Sequence, residues 1–287
     1  MGYKKLSEDQ EKQLVEEYKK GTPVKELMAK YGYKTKKSIT DKVKKYYPND
    51  YSKIVTQAQD SRRGYAYSLK EITSPFDAYL VGLLLTDGYT LTDRDGIGLD
   101  MTDEDVISFI AETVGTTYSV YTDDKENHKS RFRVVITRPG IKKEVERYGI
   151  VPKKTFLIQA PMLLPAEIKY LPYIIRGIID GDGCVSKTSY GGSQFYIVTM
   201  SEVFADWIIK ILTDNFFMED VRKSQNSRGL WRVESANQCK ILKLIALAYN
   251  KPFGMNRKYS ILRRTFRDYN RDILLDEDDG IVQTATK

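Results

Sequence analysis

Two segments of the chain carry the same pattern, and this repetition constrains the fold more than any other feature of the sequence. Residues 78–88 (AYLVGLLLTDG) and 173–183 (YIIRGIIDGDG) are apolar stretches with an internal glycine, and both end in Asp-Gly. Each stretch has the length and composition of a short buried helix. Self-similarity at this scale predicts two related structural units in one chain.

The sequence after each segment also matches. Thr102 and Ser201 are the predicted N-caps of the second helices. The first unit predicts strands at 89–91 and 97–101, a helix at 103–114, strands at 117–122 and 131–137, and a helix at 141–148. The second predicts strands at 184–187 and 194–200, a helix at 202–212, strands at 221–225 and 229–234, and a helix at 238–249. The expected class is α+β, with two αββαββα repeats over 74–165 and 166–270.

The first 48 residues predict a separate, all-helical, basic module. Ser7 and Gln10 form a capping-box pattern, Gly21 and Gly32 punctuate the segment, and a third helix is expected from Lys36. Up to Lys53 the chain holds 14 lysines against eight acidic residues, so this segment carries +6 of the total charge of +7. Short helices with a basic third member resemble a helix-turn-helix DNA-binding domain. The alternative is a solvated helical cap.

Residues 49–73 lack a strong period and predict a linker. It is interpreted either as a flexible tether or as a segment whose basic residues follow the phosphates of a nucleic acid. Residues 271–287 predict an acidic tail with no catalytic part. The DNA-contact candidates in the N-terminal region are Lys36, Lys37, Lys42, Arg62 and Arg63.

Composition removes several kinds of chemistry. With two cysteines and one histidine, zinc fingers and a disulfide framework are excluded. The lysine-rich start and the absence of a long apolar run predict no signal peptide, no membrane span and no membrane partner. The expected location is the cytoplasm, in a bacterial or phage-infected cell, with an organelle as the alternative. If the protein is an enzyme, its catalytic groups have to be carboxylates, lysines or a hard metal ion.

The two aspartates of the Asp-Gly pairs predict a metal site. Gly82 and Thr86 lie on one helical face, as do Gly177 and Gly181, so both helices present a strip with little bulk where two backbones can approach. Close packing of the helices would bring their C-terminal ends together. Asp87 and Asp182 would then repel each other unless a cation lies between them. The simpler alternative is that Asp-Gly only ends a helix, but the recurrence of Asp-Gly at the same place in both segments weakens this interpretation.

Residues 80–88 and 175–183 resemble the paired nine-residue motifs of the LAGLIDADG homing endonucleases, proteins of mobile genetic elements. The resemblance covers about Ser74 to Asp268. It implies two antiparallel sheets that form a saddle for duplex DNA, and metal binding by the last acidic residue of each motif. The expected metal-contact set is Asp87, Asp182, Thr86 and Gly181. The family's earlier acidic position, Leu85 in the first motif and Asp180 in the second, is assigned no role.

The same resemblance implies a lysine near the end of each repeat in the catalytic pocket. Lys154 and Lys258 are the candidates, and Lys153 and Arg257 are their neighbouring rivals. Phosphate contact or capping of the preceding helix is the alternative role. The expected reaction is Mg²⁺-dependent hydrolysis of DNA phosphodiesters, with Mn²⁺ able to substitute and with short 3′ overhangs.

Alternate residues of a strand share one face, so polar residues on the predicted strands are candidates for reading the major groove. They are Arg131, Arg133, Lys187, Gln194, Arg222, Lys223, Gln225, Arg228 and Arg232. The expected target is a long, loosely palindromic duplex, bound by a monomer. The alternative functions on the same fold are an RNA-splicing maturase and a nuclease-dead, site-specific DNA-binding regulator.

Overall fold

An N-terminal helical module is followed by two α+β repeats. The computed structural model describes residues 6–61, 67–122, 130–152, 158–187, 193–251 and 253–269. The module comprises α1 (Glu8–Lys19), α2 (Val24–Tyr31), α3 (Lys36–Tyr46) and α4 (Tyr51–Ser61). None of the helices in the described ranges combines the length and the apolar character needed to cross a membrane.

The first repeat comprises α5 (Pro75–Thr86), β1 (Gly88–Thr90), β2 (Gly96–Met101), α6 (Glu104–Val114), β3 (Tyr118–Tyr121), β4 (Arg131–Thr137) and α7 (Ile141–Glu146). The second follows a short 3-10 helix (Pro165–Tyr170). It comprises α8 (Leu171–Asp182), β5 (Gly183–Lys187), β6 (Ser193–Thr199), α9 (Glu202–Phe216), β7 (Arg222–Gln225), β8 (Trp231–Ser235), α10 (Gln238–Ala248) and α11 (Asn256–Tyr269).

Each repeat builds one antiparallel sheet of four strands, in the orders β1-β2-β4-β3 and β5-β6-β8-β7. Alternate strand residues such as Ile97, Val134, Ile197 and Val233 are buried under the helices and belong to one hydrophobic core. The predicted α+β class with two αββαββα repeats is confirmed. One cap was misplaced: α6 begins after Asp103 rather than Thr102, whereas Ser201 caps α9 as predicted.

The N-terminal module has its own core, with Leu14, Leu27 and Ile39 from its first three helices. The predicted capping box is present, because Ser7 and Gln10 each accept a hydrogen bond from the other's backbone N–H. Ile54 and Ala58 of α4 are buried in the same core. The prediction of a linker over 49–73 was therefore wrong for residues 51–61.

The rest of the predicted linker, residues 67–73, is docked on the repeats. Leu69 and Ile72 are buried in the main core. The backbone N–H of Leu69 donates to Glu144 at 3.0 Å, and that of Ile72 donates to Glu167 at 2.7 Å. Since Glu144 belongs to α7 and Glu167 to the 3-10 helix before α8, residues 67–73 are fastened at two points. A flexible tether is the wrong description of them.

Candidate active site and nucleic-acid face

The two motif helices, α5 and α8, pack backbone against backbone. A Cβ atom added to Gly82 would lie 2.8 Å from the Cα of Gly177, and one added to Gly177 would lie 2.8 Å from the Cα of Gly82. No side chain fits at either position. Thr86 fits at this interface because it packs on Gly181: a Cβ added to Gly181 would lie 2.6 Å from the Thr86 Cβ.

This packing brings the acidic ends of the two helices together. Asp87 follows the last residue of α5, and its Oδ2 would lie 2.7 Å from a Cβ built on Gly181. The carboxylate of Asp87 therefore lies against the residue that precedes Asp182. Both aspartates are exposed to solvent. The last carbonyls of a helix carry partial negative charge, so two carboxylates and two helix C-termini make this surface electronegative.

The donor atoms at this surface suit a hard divalent cation. Mg²⁺ prefers carboxylate oxygens and commonly keeps several waters, so two exposed aspartates are a sufficient protein contribution. The Thr86 hydroxyl donates to the carbonyl of Leu83 at 3.0 Å and lies 3.4 Å from the Asp87 carboxylate. Within the described residues there is no group of three or more His, Cys, Asp and Glu side chains that could hold a metal ion.

Lys258, on the first turn of α11, lies at the C-terminal end of α8. Its Nζ donates to the carbonyls of Ile179 at 2.6 Å, Asp180 at 2.7 Å and Gly183 at 2.8 Å, with Gly181 at 3.4 Å. Burial lowers the pKa of Lys258, and the nearby carboxylates of Asp180 and Asp87 act in the opposite direction. An ammonium group thus lies beside the electronegative surface and caps α8.

Among the other lysine candidates, Lys153 and Lys154 lie outside the described residues. Arg257, the rival of Lys258, points elsewhere: its Nε donates to Asp103 at 3.1 Å. Of the two neighbours, Lys258 is the one that the structure places at the motif helices.

A buried polar cluster behind the site was missed by the sequence reasoning. Arg176 and Asp180 lie four residues apart on α8 and are 0% and 1% exposed. Asp180 accepts hydrogen bonds from the hydroxyls of Tyr79 at 2.8 Å and Tyr249 at 2.6 Å. Two opposite charges one helical turn apart in an otherwise apolar stretch are the signal that would have identified the cluster.

The face of the first sheet that points away from the helices carries polar side chains and a groove. Arg133 on β4 donates to Asp100 of β2 through Nη2 at 2.6 Å, and its guanidinium lies 4.6 Å from the centre of the Tyr121 ring. Arg131 shares this face and is exposed. A groove of about 360 Å³ runs across it, lined by Tyr89, Ser119 and Tyr121 among others.

The corresponding face of the second sheet is organised around Glu234. Its carboxylate accepts a hydrogen bond from Gln194 at 3.0 Å and forms ion pairs with Arg232 at 2.8 Å and Arg222 at 3.6 Å. The Arg232 guanidinium also stacks 4.0 Å from the ring centre of Tyr196. Both sheets therefore hold arginines in place with an acidic residue and a tyrosine.

Two of the predicted contact residues lie on the opposite side of the second sheet. Lys223 is ion-paired with Glu202 at 2.8 Å and Asp206 at 2.6 Å on α9. Gln225 shares its strand parity and donates to the carbonyl of Gly229 at 3.2 Å. Their assignment to the DNA-reading face was wrong, because side chains alternate along β7 and Arg222 takes the outward direction.

The remaining DNA-contact candidates differ in their exposure and ion pairing. Lys36 and Lys37 are exposed at the start of α3, while Lys42 is ion-paired with Glu11 of α1. Arg228 is exposed in the turn between β7 and β8. Arg62, Arg63 and the side chain of Lys187 lie outside the described part of the chain.

The fold and the site define a class: a two-repeat α+β protein whose motif helices meet through glycines and end in paired aspartates. No protein-family model and no curated protein matches the chain. Several solved structures are similar. The LAGLIDADG meganuclease I-AabMI, bound to uncleaved DNA, is 12% identical, with 71% of this chain and 94% of that chain covered and a TM-score of 0.46.

The I-LtrWI LAGLIDADG homing endonuclease, bound to target DNA, is 12% identical over 69% of this chain and 92% of that chain, with a TM-score of 0.45. Full-length DUF199/WhiA from Thermatoga maritima is 13% identical over 73% of this chain and 65% of that chain, with a TM-score of 0.43. The endonucleases among these structures belong to the family that the two motifs resemble. Likenesses of this size transfer no activity, so function has to be argued from the site.

Proposed function

We propose that this protein is a site-specific double-strand DNA endonuclease of the LAGLIDADG type, in which Asp87 and Asp182 hold a divalent metal ion. The observation that carries the proposal is the contact of the Asp87 carboxylate with Gly181, next to Asp182, at a junction too close for any side chain at Gly82 or Gly177. Two carboxylates brought together at two helix C-termini disfavour each other's charge, and a cation between them relieves this repulsion. Mg²⁺ is the expected ion, with Mn²⁺ able to substitute.

Each residue of the site has a task in such a reaction. A bound divalent ion would activate water and offset negative charge at the scissile phosphate. Asp87 and Asp182 hold the ion, with Thr86 and Gly181 beside them. The fixed ammonium group of Lys258 adds positive charge next to the carboxylates, where an approaching phosphate would otherwise be repelled.

The outward sheet faces provide a surface for duplex DNA. Arg133 and Arg232 are each held between a carboxylate and a tyrosine ring, so their guanidinium planes are oriented before DNA arrives. A fixed guanidinium can donate two hydrogen bonds to a guanine edge in the major groove. The exposed Arg131 and Arg228 are available for phosphates, and Arg222, whose side chain is 77% exposed, can reach them because only a 3.6 Å ion pair joins it to Glu234.

The N-terminal module adds a second DNA contact in this proposal. Because Lys42 and Lys45 of α3 are both ion-paired with Glu11, the lysines of α3 that remain for DNA are the exposed Lys36, Lys37 and Lys44. They lie along α3, which follows α2 through a short turn, as in a helix-turn-helix unit. Replacing Lys36 and Lys37 with alanine should weaken DNA binding more than replacing Lys12 and Lys30, which are ion-paired on α1 and α2.

The deciding experiment is incubation of the protein with a library of DNA duplexes and Mg²⁺, followed by sequencing of the new ends. We expect recurrent ends at one site, on both strands and offset to leave 3′ overhangs. The double variant Asp87→Asn/Asp182→Asn should bind the same duplex with similar affinity and give no ends. Specific binding without ends in the wild type would favour the DNA-binding regulator. Selective retention of RNA would favour the maturase.

A further inference from the structure

Two buried charges of α8 hold the segment that leads into α11. Arg176 Nη1 donates to the carbonyl of Lys251 at 2.7 Å, and its Nη2 donates to the carbonyl of Phe253. Asp180 Oδ2 accepts from the backbone N–H of Met255 at 3.3 Å. Three backbone groups of residues 251–255 are thus bound by two side chains of one helix.

Aromatic rings enclose these charges. The Arg176 guanidinium lies 4.2 Å from the ring centre of Phe253 and 4.7 Å from that of Tyr249. Asp180 also accepts from Tyr249 and Tyr79, both fully buried. A buried charge is tolerated only when it is compensated and hydrogen-bonded, which fixes the positions of the groups around it.

The bound segment positions Lys258. Residue 256 begins α11, and the N–H of Tyr259 donates to the carbonyl of Met255 at 2.9 Å, so the first turn of the helix is continuous with the residue that Asp180 holds. Lys258 lies in this turn, with its Nζ on the carbonyls at the end of α8. The helix that supplies Asp182, α8, therefore also fixes the backbone position from which the Lys258 side chain extends.

In the described part of the first repeat, the matching motif positions are apolar. In the alignment of the two motifs, Val81 and Leu85 occupy the positions of Arg176 and Asp180, and both are buried apolar residues of the main core. The two halves of the site thus differ in how their surroundings are built, although both motifs end in Asp-Gly.

We propose that Arg176 and Asp180 are positioning residues that hold Lys258 against the C-terminus of α8, so that the second half of the site depends on a buried polar pair where the first motif has the apolar Val81 and Leu85. This inference rests on the proposed endonuclease function for its effect on catalysis, and on the structure alone for its effect on Lys258. Neither Arg176 nor Asp180 contacts DNA in this proposal.

The test variant replaces the second-motif pair with the residues of the first motif, Arg176→Val/Asp180→Leu. Exchanging both charges avoids leaving one buried charge without its partner, which is the strongly destabilising case. Lys258 is then probed in the full-length protein by the rate of amine acetylation, read by mass spectrometry, with the exposed Lys20 of the N-terminal module as an internal reference. Cleavage and binding of the selected duplex are measured on the same samples.

We expect acetylation of Lys258 to accelerate about tenfold or more while that of Lys20 is unchanged, because opening of the site exposes the Lys258 amine. The cleavage rate at saturating protein should fall by about 10–100-fold, as for other positioning groups, with DNA affinity within about twofold of wild type. In a Lys258→Met background the double exchange should lower the cleavage rate little further, since both changes remove the contribution of the Lys258 ammonium group.

The inference would be overturned if the acetylation rate of Lys258 were unchanged. It would also be overturned if the double exchange lowered the cleavage rate in the Lys258→Met background by the same factor as in the wild type. If the double exchange does not fold, Tyr249→Phe removes a single hydrogen bond to Asp180 and should shift both readouts in the same direction by less. A wild-type protein that does not cleave DNA would refute the endonuclease function, and the acetylation comparison would still decide whether Asp180 and Arg176 hold Lys258.

Discussion

Gly82 and Gly177 face each other across the α5–α8 interface with no space for a side chain on either helix. The acidic ends of the helices can meet only because these two positions are bare. The interface is consequently a requirement of the fold, and a functional requirement in the proposed endonuclease.

Gly82→Ala should destabilise the protein by about 3 kcal/mol, because the added methyl group meets backbone atoms that cannot rotate away. Guanidinium unfolding measures the loss. Gly115→Ala is the matched control, since Gly115 has a φ of 75° and no atom within 4 Å of an added Cβ. It should cost about 1 kcal/mol for backbone strain. Equal losses in the two variants would argue against the close helix contact.

Arg222 and Lys223 are sequence neighbours on opposite faces of β7, and this predicts different effects on DNA binding. Arg222→Ala should reduce the slope of log affinity against log salt by about 0.9, the value for one lost phosphate contact. Lys223→Ala should leave the slope unchanged, because its ammonium is bound to Glu202 and Asp206 on the helix side. Fluorescence anisotropy over a salt series measures both. A reversed order would place the DNA on the other face.

Glu234 restrains three basic or polar side chains on the second sheet, so its charge should limit non-specific binding. Glu234→Gln should raise the affinity for random-sequence duplex, because Arg222 and Arg232 lose their carboxylate partner. The ratio of the affinity for target DNA to that for random DNA should therefore fall. Glu219→Gln removes the same charge at an ion pair with Lys240, outside the strands of the sheet. Identical shifts in the two variants would indicate a general charge effect only.

Glu11 gives the N-terminal module a pH dependence. Hydrogen bonds from Lys42 and Lys45 lower the pKa of Glu11 to about 2, from an ordinary value of 4.5. Between these pH values the unfolded state binds the proton more readily, so this contribution to stability is complete above about pH 4.5 and is lost as pH falls towards 2. The slope is at most about 1.4 kcal/mol per pH unit.

Hydrogen exchange of peptides from α1 and α3 in the full chain measures this effect. The free energy of opening should fall with decreasing pH in the wild type. In Glu11→Gln the value at neutral pH should be lower, and its decline below pH 4.5 should be shallower. The neighbouring ion pairs of Glu16 and Glu17 remain in both proteins and contribute equally. Parallel declines would show that Glu11 does not carry the pH dependence.

Much of the fold was predictable because local signals agreed. The apolar helices with Asp-Gly ends, the alternating strands and the caps at Ser7 and Ser201 all gave correct elements. The α4 helix was missed because Ile54 and Ala58 are a weak apolar stripe among polar neighbours. Its burial depends on contacts with α1, which no local pattern reveals.

The site was predictable in part. Repetition identified Asp87 and Asp182 as a pair, and the structure brings the helices that end in them together. The face of Lys223 was not predictable, since β7 has polar residues on both faces and offers no apolar residue to mark the inward side. The hydrogen bonds between Asp180, Tyr79 and Tyr249 join residues far apart in sequence, and only the folded chain shows them.

The docked segment 67–73 limits how far the N-terminal module can lie from the two α+β repeats. Six peptide steps connect Ser61, at the end of α4, to Tyr67, and an extended chain of that length spans at most about 20 Å. Duplex DNA rises about 3.4 Å per base pair, so this reach corresponds to about six base pairs. On a bound duplex, the protein itself would set the largest spacing between the sequence contacted by the module and the cleavage site. Inserting residues between Ser61 and Tyr67 would increase this spacing.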